Sequence, residues 1–369
     1  MIPSWKKVLF LVPSFAAGVG GAERVITILL RHLDHSRFEC HLALVGEGRA
    51  FLEDVPRDVT VHHLGVSRMR YCGPAVVGLI RQLRPDTILS TVIYLNAMLM
   101  LARPFLPGRP RILLREASLP SAFLAQGARY PRILKWMYRQ LYPRADQIIC
   151  LCDAAINDMV EHLGISRDKL VRIYNPVDVE MLRRLAEDAE SPYIGSGPHV
   201  MAMGRLQREK AYDVLLRAFS SVLKTFPQAQ LSILGEGPLE IQLKEKAAEL
   251  GVDHAVTFPG FQKNPWPYVK HADLFVLASR FEGLPNALLE ALALGVPVVA
   301  TDCPGGVREI QRSARAIVIV PPENDVALAS GIVAALSQPR SGRPSSRQVA
   351  ESLREFDLQN VVREYSQLL

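Results

Sequence analysis

The chain lacks the cysteine patterns that staple or metallate small domains. Its five cysteines, Cys40, Cys72, Cys150, Cys152 and Cys303, are odd in number and show no C-x-x-C or other metal-ligand spacing. That argues against a disulfide framework and a thiolate metal site, and favours reduced thiols in a cytosolic protein. A D-x-D carboxylate pair suited to Mg²⁺ is also missing; "DVE" (178–180) comes nearest. The dinucleotide fingerprint G-x-G-x-x-G is absent, since the early glycines fall at 18, 20 and 21 and position 23 is Glu23. An NAD dehydrogenase therefore loses its main signature. No apolar run reaches the ~20 residues of a membrane span. The longest, "ILSTVIYLNAMLMLA", contains Asn96 and reads as a buried strand and helix. There is no short-period repeat and no nucleic-acid-binding motif. The N-terminal "WKKVLFLVPSFAAG" has the charge-then-apolar order of a signal peptide. Its apolar core is short, however, and the glycine loop and amphipathic pattern that follow fit a first strand and its loop better.

What is present is an ordinary globular composition, 49% hydrophobic and 22% charged over 369 residues, enough for two domains. Short apolar runs alternate with amphipathic segments through both halves, the pattern of doubly wound parallel sheets. A polar, Gly- and Pro-containing stretch at 181–198 interrupts the alternation and reads as a linker. Charge is unevenly divided. Residues 1–180 carry 23 Lys and Arg against 16 Asp and Glu, whereas 181–369 carry 20 against 21. Between positions 103 and 144 there are nine basic residues and one acid, Glu116, mixed with Phe105, Phe123, Tyr130, Trp136, Met137 and Tyr138. Cations interleaved with large apolar side chains suit an anionic membrane surface or a lipid-diphosphate acceptor. A solvated face on a basic protein gives the same pattern.

The stretch "SRFEGLPNALLEALALGVPVVATDCPGG" (279–306) carries most chemistry. "DLFVLAS" before it and "VPVVATD" within it read as buried parallel strands. Between them, Pro285 is placed to open a helix and Gly295 to stop it. Glu282 then lies in the loop at the carboxyl end of a strand, where open α/β sheets bind ligands. Glu290 follows eight residues later, ~800° of helical rotation and so within ~80° of whole turns. N–H groups of the first helical turn suit a phosphate, and the two carboxylates can accept hydrogen bonds from hydroxyls. Hydroxyls on both sides of a phosphate describe a nucleotide sugar. A half-exposed helix glutamate and an unrelated loop charge would look the same.

Four further motifs follow strand-like runs. "GVGGAE" (18–23) is a glycine loop for a bulky anion, or a plain tight turn. "GRLQREK" (204–210) sets Arg205 and Lys210 around a turn, where they can grip a diphosphate in place of a metal, or are simply surface charges. "GEGP" (235–238) is a close backbone approach to a ligand or a turn. "FPGF" (258–261) ends in Phe261, where backbone groups can read a base edge.

Taken in order, Gly20–Gly21, Arg205, Lys210, "GEGP", "FPGF" and the Glu282-x7-Glu290 pair resemble the retaining glycosyltransferases of family 4, which have the GT-B fold. The resemblance spans nearly the whole chain and is densest at 200–310. "NPVD" (175–178) is similar to the family's usual end of the first domain. The 279–302 stretch is similar to the subgroup using UDP-linked N-acetylhexosamines or hexoses on lipid-linked acceptors.

This resemblance implies two tandem Rossmann-like domains facing a cleft. An acceptor-binding domain at 1–180 would carry a C-terminal helix at about 355–369 packed back on it, with a linker at 181–198 and a nucleotide-sugar domain at 199–354. It implies that Glu282 touches the donor sugar, Glu290 the ribose, and Arg205 and Lys210 the diphosphate. Backbone groups at Gly283, Leu284 and Asn286 would join the diphosphate, Phe261 would lie at the donor, and Gly20 and Gly21 would close over it. It further implies retention at the anomeric carbon by same-face attack, with no cofactor and no metal, at the cytoplasmic face of a membrane. Two positions depart from the family. Ala211 replaces a common glycine and is expected to stiffen the loop. "LLREAS" places Arg115 and Glu116 where many members carry a sugar-contacting His, so either is expected to face acceptor or sugar. Two rivals share parts of the pattern. A UDP-N-acetylglucosamine 2-epimerase of similar fold needs a set of acid/base side chains that is not recognisable here, and a non-catalytic nucleotide-sugar or membrane module would not need all four charged residues.

Overall fold

Aliphatic and β-branched runs become parallel strands here because both their faces are covered. In the computed structural model, which describes residues 5–14, 21–48, 52–66, 71–126, 128–187, 190–193, 195–314, 317–338 and 346–369, the chain divides into two units. The first is Met1–Pro176 with Gln359–Leu369, and the second is Val177–Leu358. Unit 1 holds β1 (Lys6–Val12), β2 (Phe38–Leu44), β3 (Thr60–His63), β4 (Thr87–Thr91), β5 (Arg111–Glu116), β6 (Gln147–Cys150) and β7 (Leu170–Arg172). These form one seven-stranded sheet in the order β3-β2-β1-β4-β5-β6-β7. Unit 2 holds β8 (His199–Met203), β9 (Gln230–Leu234), β10 (Val256–Gly260), β11 (Leu274–Leu277), β12 (Val298–Thr301) and β13 (Ile317–Val320), in the order β10-β9-β8-β11-β12-β13. Among the described residues every strand pairing is parallel, as between β1 and β4 and between β8 and β11.

Both orders reverse direction once. The reversal falls between β1 and β4 in unit 1 and between β8 and β11 in unit 2, and at such a point the loops leaving the carboxyl ends diverge and open a crevice. The unit 2 sheet is held by apolar side chains such as Leu215, Phe219 and Val222 of helix Tyr212–Thr225, packed with Val200, Ile233 and Val276 from the strands. All five cysteines are buried thiols. Among the described residues no helix is long and apolar enough to cross a membrane. The segment that looked most like a span forms β4 and the ten-residue helix Ile93–Ala102, and the signal-like N-terminal run contains β1.

The described residues of the 181–198 stretch are packed and do not form a free tether. Its first residues end helix Val179–Glu187, whose Leu185 carbonyl accepts from Asn264 Nδ2 at 2.8 Å. Further on, Tyr193 stacks on His199 with ring centroids 4.4 Å apart and donates its hydroxyl to the Tyr268 carbonyl. Polar composition hid these contacts, which depend on residues distant in sequence.

Helix Leu358–Leu368 ends the chain, and residues 359–369 belong to unit 1. Its Tyr365 hydroxyl accepts from Arg115 Nε at 3.3 Å, while the last two carbonyls accept from Arg111 Nη1 at 2.7 Å and Thr87 Oγ1 at 3.0 Å. Removing an acceptor from a buried guanidinium costs about 1.5–3 kcal/mol. Tyr365→Phe should therefore lower unit 1 stability by that amount in chemical denaturation, and an unchanged midpoint would show that the hydroxyl is no anchor.

Candidate active site

The loops leaving β8, β9 and β10 are laced edge to edge. Gly204 N donates to the Leu234 carbonyl at 2.9 Å, Leu206 N to Glu236 O at 2.8 Å, and Gly235 N to Gly260 O at 2.9 Å. Gly235 sits at φ +131°, and a Cβ there would collide with the Gly204 carbonyl. On the other side of the switch point, Glu282 N donates to Pro304 O at 3.0 Å and Gly306 N to Gly283 O at 2.8 Å. Gly305, at φ +129°, lies so close to the Glu282 carbonyl that any side chain would strike it. Backbone contacts thus fix where Glu282 leaves the chain.

Across the switch point, Lys210 Nζ donates to Glu282 Oε1 at 2.6 Å. Ser279 Oγ donates to the same oxygen at 2.6 Å. The Lys210 and Glu282 side chains are only 17% and 10% exposed, so water screens this pair little. Arg205, by contrast, is 54% exposed and meets Glu209 Oε1 at 3.3 Å. Helix Asn286–Ala293 starts just beyond Glu282 and directs the positive end of its dipole to the same edge. Gly283 and Leu284 form the turn into that helix, and Asn286 is its first residue.

Glu290 is placed differently from the half-exposed alternative. It is 8% exposed, within a helix that also buries Leu288, Leu289, Ala291, Leu292 and Ala293. Because the helix begins at Asn286, the eight-residue rotation does not run through one helix, and the loop geometry sets the relation of the two glutamates. Phe261 is half-buried, with its N–H 3.4 Å from Glu236 Oε1.

In unit 1, Gly20 lies outside the described residues, and Gly21 opens helix Gly21–His32. Arg115 and Glu116 end β5 as interior anchors and not as surface contacts. Arg115 is fully buried, donating Nη2 to Asn175 Oδ1 at 2.6 Å as well as Nε to Tyr365. Glu116 accepts from Tyr138 and Tyr142 at 2.9 and 3.0 Å on one oxygen and from Ser118 Oγ at 2.7 Å on the other. Burial raises its carboxyl pKa despite these donors. Most of their partners lie 22 to 250 residues further along the chain, which a strand-end motif cannot show.

Residues 19–181 match the model of "Glycosyltransferase Family 4", and residues 197–338 match that of "Glycosyl transferases group 1". The chain belongs to the family 4 glycosyltransferases. It is 28% identical over 361 residues to the N-acetylgalactosamine-N,N'-diacetylbacillosaminyl-diphospho-undecaprenol 4-alpha-N-acetylgalactosaminyltransferase of Campylobacter jejuni, covering 95% of this chain and 96% of that protein. The lipopolysaccharide 1,6-galactosyltransferase of Salmonella typhimurium is 29% identical over 42% of this chain and 43% of its own. Among solved structures, Anabaena HepE in complex with UDP and glucose superposes with a TM-score of 0.80 at 18% identity, over 98% of this chain and 99% of that one. That likeness shows the GT-B fold.

Reading the sequence missed two residues of this glycosyltransferase. Ser279 and Arg280 stand beside Glu282, and their weight shows only when their partners are known. Arg280 forks onto Asp213 at 3.0 and 2.9 Å, donates to the Arg208 carbonyl at 2.6 Å, and its N–H reaches Glu209 O at 2.7 Å. It therefore ties the loop of Arg205 and Lys210 to the loop of Glu282. Ala211 sits at φ +50°, a left-handed conformation that costs a residue with a Cβ about 1–2 kcal/mol. That conformation strains the loop.

Asp213 carries a pH signature. Burial raises its carboxyl, but the hydrogen bonds and charge of Arg280, with Arg217, outweigh this and leave the pKa lowered from 3.8. A lowered carboxyl stabilises the fold above its unfolded value, and that contribution is lost as pH falls through the folded value. Asp213→Asn should thus lower stability at neutral pH and flatten the acid limb of the unfolding curve below about pH 4. An unaltered acid limb would contradict the Arg280 tie.

Proposed function

We propose that this protein transfers a hexose or N-acetylhexosamine from a UDP-sugar to a lipid-linked glycan acceptor, with retention and without a metal, at the cytoplasmic face of a membrane. The observation that carries the reading is the shielded Lys210–Glu282 pair at the unit 2 switch point, beside a helix N-terminus. An incoming diphosphate competes with the carboxylate for the ammonium. Lys210 and Arg205 then neutralise the charge that grows as the diphosphate leaves, which is the role a metal would otherwise fill. Freed from Lys210, Glu282 accepts hydrogen bonds from the donor sugar's hydroxyls. Glu290, lower in the helix, accepts from the ribose. Attack by the acceptor hydroxyl on the face the diphosphate leaves gives retention, and the departing phosphate oxygen takes the proton. UDP in the Anabaena neighbour and the diphospho-undecaprenol in the name of the Campylobacter relative support the donor and acceptor classes.

Glu282→Gln should lower kcat by ten- to a hundredfold, because a contact to the reacting sugar strengthens in the transition state. Glu290→Gln should instead weaken UDP binding, by a similar factor, since losing a charged hydrogen bond costs about 1.5–3 kcal/mol. Steady-state kinetics and calorimetry separate the two, and a Glu282→Gln protein with native kcat and weakened UDP affinity would reverse the roles. Full turnover in EDTA is expected, whereas chelator inhibition rescued by Mg²⁺ or Mn²⁺ would refute metal independence. The epimerase alternative predicts product from a UDP-sugar alone, without acceptor.

The membrane surface proposed for unit 1 is helix Pro131–Leu141. It buries Leu134, Tyr138 and Leu141 and turns Ile133 and Trp136 outward, 54% and 53% exposed, among exposed Arg132, Lys135 and Arg139. Four of the nine basic residues at 103–144 make internal bonds: Arg103 forks onto Asp146, Arg111 and Arg115 hold the last helix, and the exposed Arg139 also donates to the His162 carbonyl at 3.3 Å. Cosedimentation with phosphatidylserine vesicles should fall as salt rises, because exposed charges are screened over ~8 Å at physiological ionic strength. Equal binding to neutral vesicles, or none to either, would contradict it.

A further inference from the structure

Tyr212 opens helix Tyr212–Thr225, immediately after the strained Ala211. Its ring joins the core of unit 2 and is 4% exposed, yet its hydroxyl finds no hydrogen-bond partner among the described residues. A buried hydroxyl left unsatisfied is unfavourable, and native proteins seldom keep one without use. Its position is informative. A Cβ added to Gly204 would meet this hydroxyl at 3.0 Å and the Cε of Lys210 at 3.1 Å. Hydroxyl and lysine stem thus pack over the same bare glycine, and the Lys210 ammonium one bond beyond reaches Glu282 at 2.6 Å. Burial, and after it the negative charges of Glu282 and Glu209, push the phenol's pKa up, so it remains a protonated donor.

The reaction read from this site moves Lys210 off Glu282 and onto a diphosphate. That leaves a shielded carboxylate with Ser279 as its protein donor. A carboxylate in such a place needs further donors to stay charged. We infer that the Tyr212 hydroxyl is a positioning group for Glu282: it donates to that carboxylate when Lys210 turns to the donor's diphosphate, and holds it charged and aimed at the sugar. In the resting pair the hydroxyl is idle, and in the loaded site it replaces the ammonium. This rests on the functional reading above, but one part of it can be tested without any donor.

The test is Tyr212→Phe, which keeps the ring, made in the native chain and in a Lys210→Ala chain. In the native chain the hydroxyl is idle at rest, so Tm should stay the same or rise. In Lys210→Ala, Glu282 has lost its ammonium and should already recruit Tyr212, so the same substitution should lower Tm. Equal shifts in both backgrounds would overturn the inference. Calorimetry with UDP supplies a second arm, which decides the matter if Lys210→Ala fails to fold. Tyr212→Phe should bind UDP about tenfold more weakly, the loss expected for one hydrogen bond to a charged group, and native affinity would overturn the inference. If the unaltered protein binds no UDP, the functional reading falls, and the two Tm shifts alone judge the hydroxyl.

Discussion

The ion pair between Lys210 and Glu282 is the contact on which the rest of unit 2's carboxyl edge depends. Two opposite charges 2.6 Å apart, both largely shielded, hold two loops that belong to strands on either side of the switch point. Breaking a buried pair by removing one partner costs about 3–5 kcal/mol, because the other charge is left uncompensated. The pair can therefore open only when something replaces each partner. On the proposed reading, a diphosphate takes the carboxylate's place at the lysine, and hydroxyls take the lysine's place at the carboxylate. A nucleotide sugar carries both, which ties the stability of the resting edge to the identity of the ligand that can open it.

Backbone approach makes that pair possible. The loops after β8 and β9 lie against each other because Gly235 has no side chain, and the loops after β11 and β12 do so because Gly305 has none. Arg280 then crosses from one group of loops to the other through Asp213 and the Arg208 carbonyl. Ser279 adds a neutral donor to Glu282 without adding charge. The side chains proposed for catalysis thus sit on a frame of glycines and one forked arginine, which holds their loops together.

Much of this is legible in the sequence. Continuous apolar runs marked the parallel strands, Pro285 and Gly295 bracketed helix Asn286–Ala293, and the order of glycines, cations and glutamates pointed to the family. What escaped were features fixed by partners distant in the chain. Arg115 looks like a strand-end ligand until Tyr365, 250 residues on, accepts its guanidinium. Glu116 looks like an acceptor or sugar contact until Tyr138 of helix Pro131–Leu141 and Tyr142 of the turn after it close over it. The 181–198 stretch looks like a tether because polarity is read locally, whereas Tyr193 finds His199 and Tyr268 only in the folded unit. Periodicity reports which face of an element is covered. It does not report what covers a polar residue.

The proposed role of Lys210, giving up Glu282 to hold the diphosphate of a UDP-linked donor, can be checked by calorimetric titration of UDP into Lys210→Ala alongside the unaltered protein. Affinity should fall at least tenfold, the scale of one charge-assisted hydrogen bond, with a weaker dependence of binding on salt because one cation has been removed. Binding of UDP with native affinity and native salt dependence would contradict it.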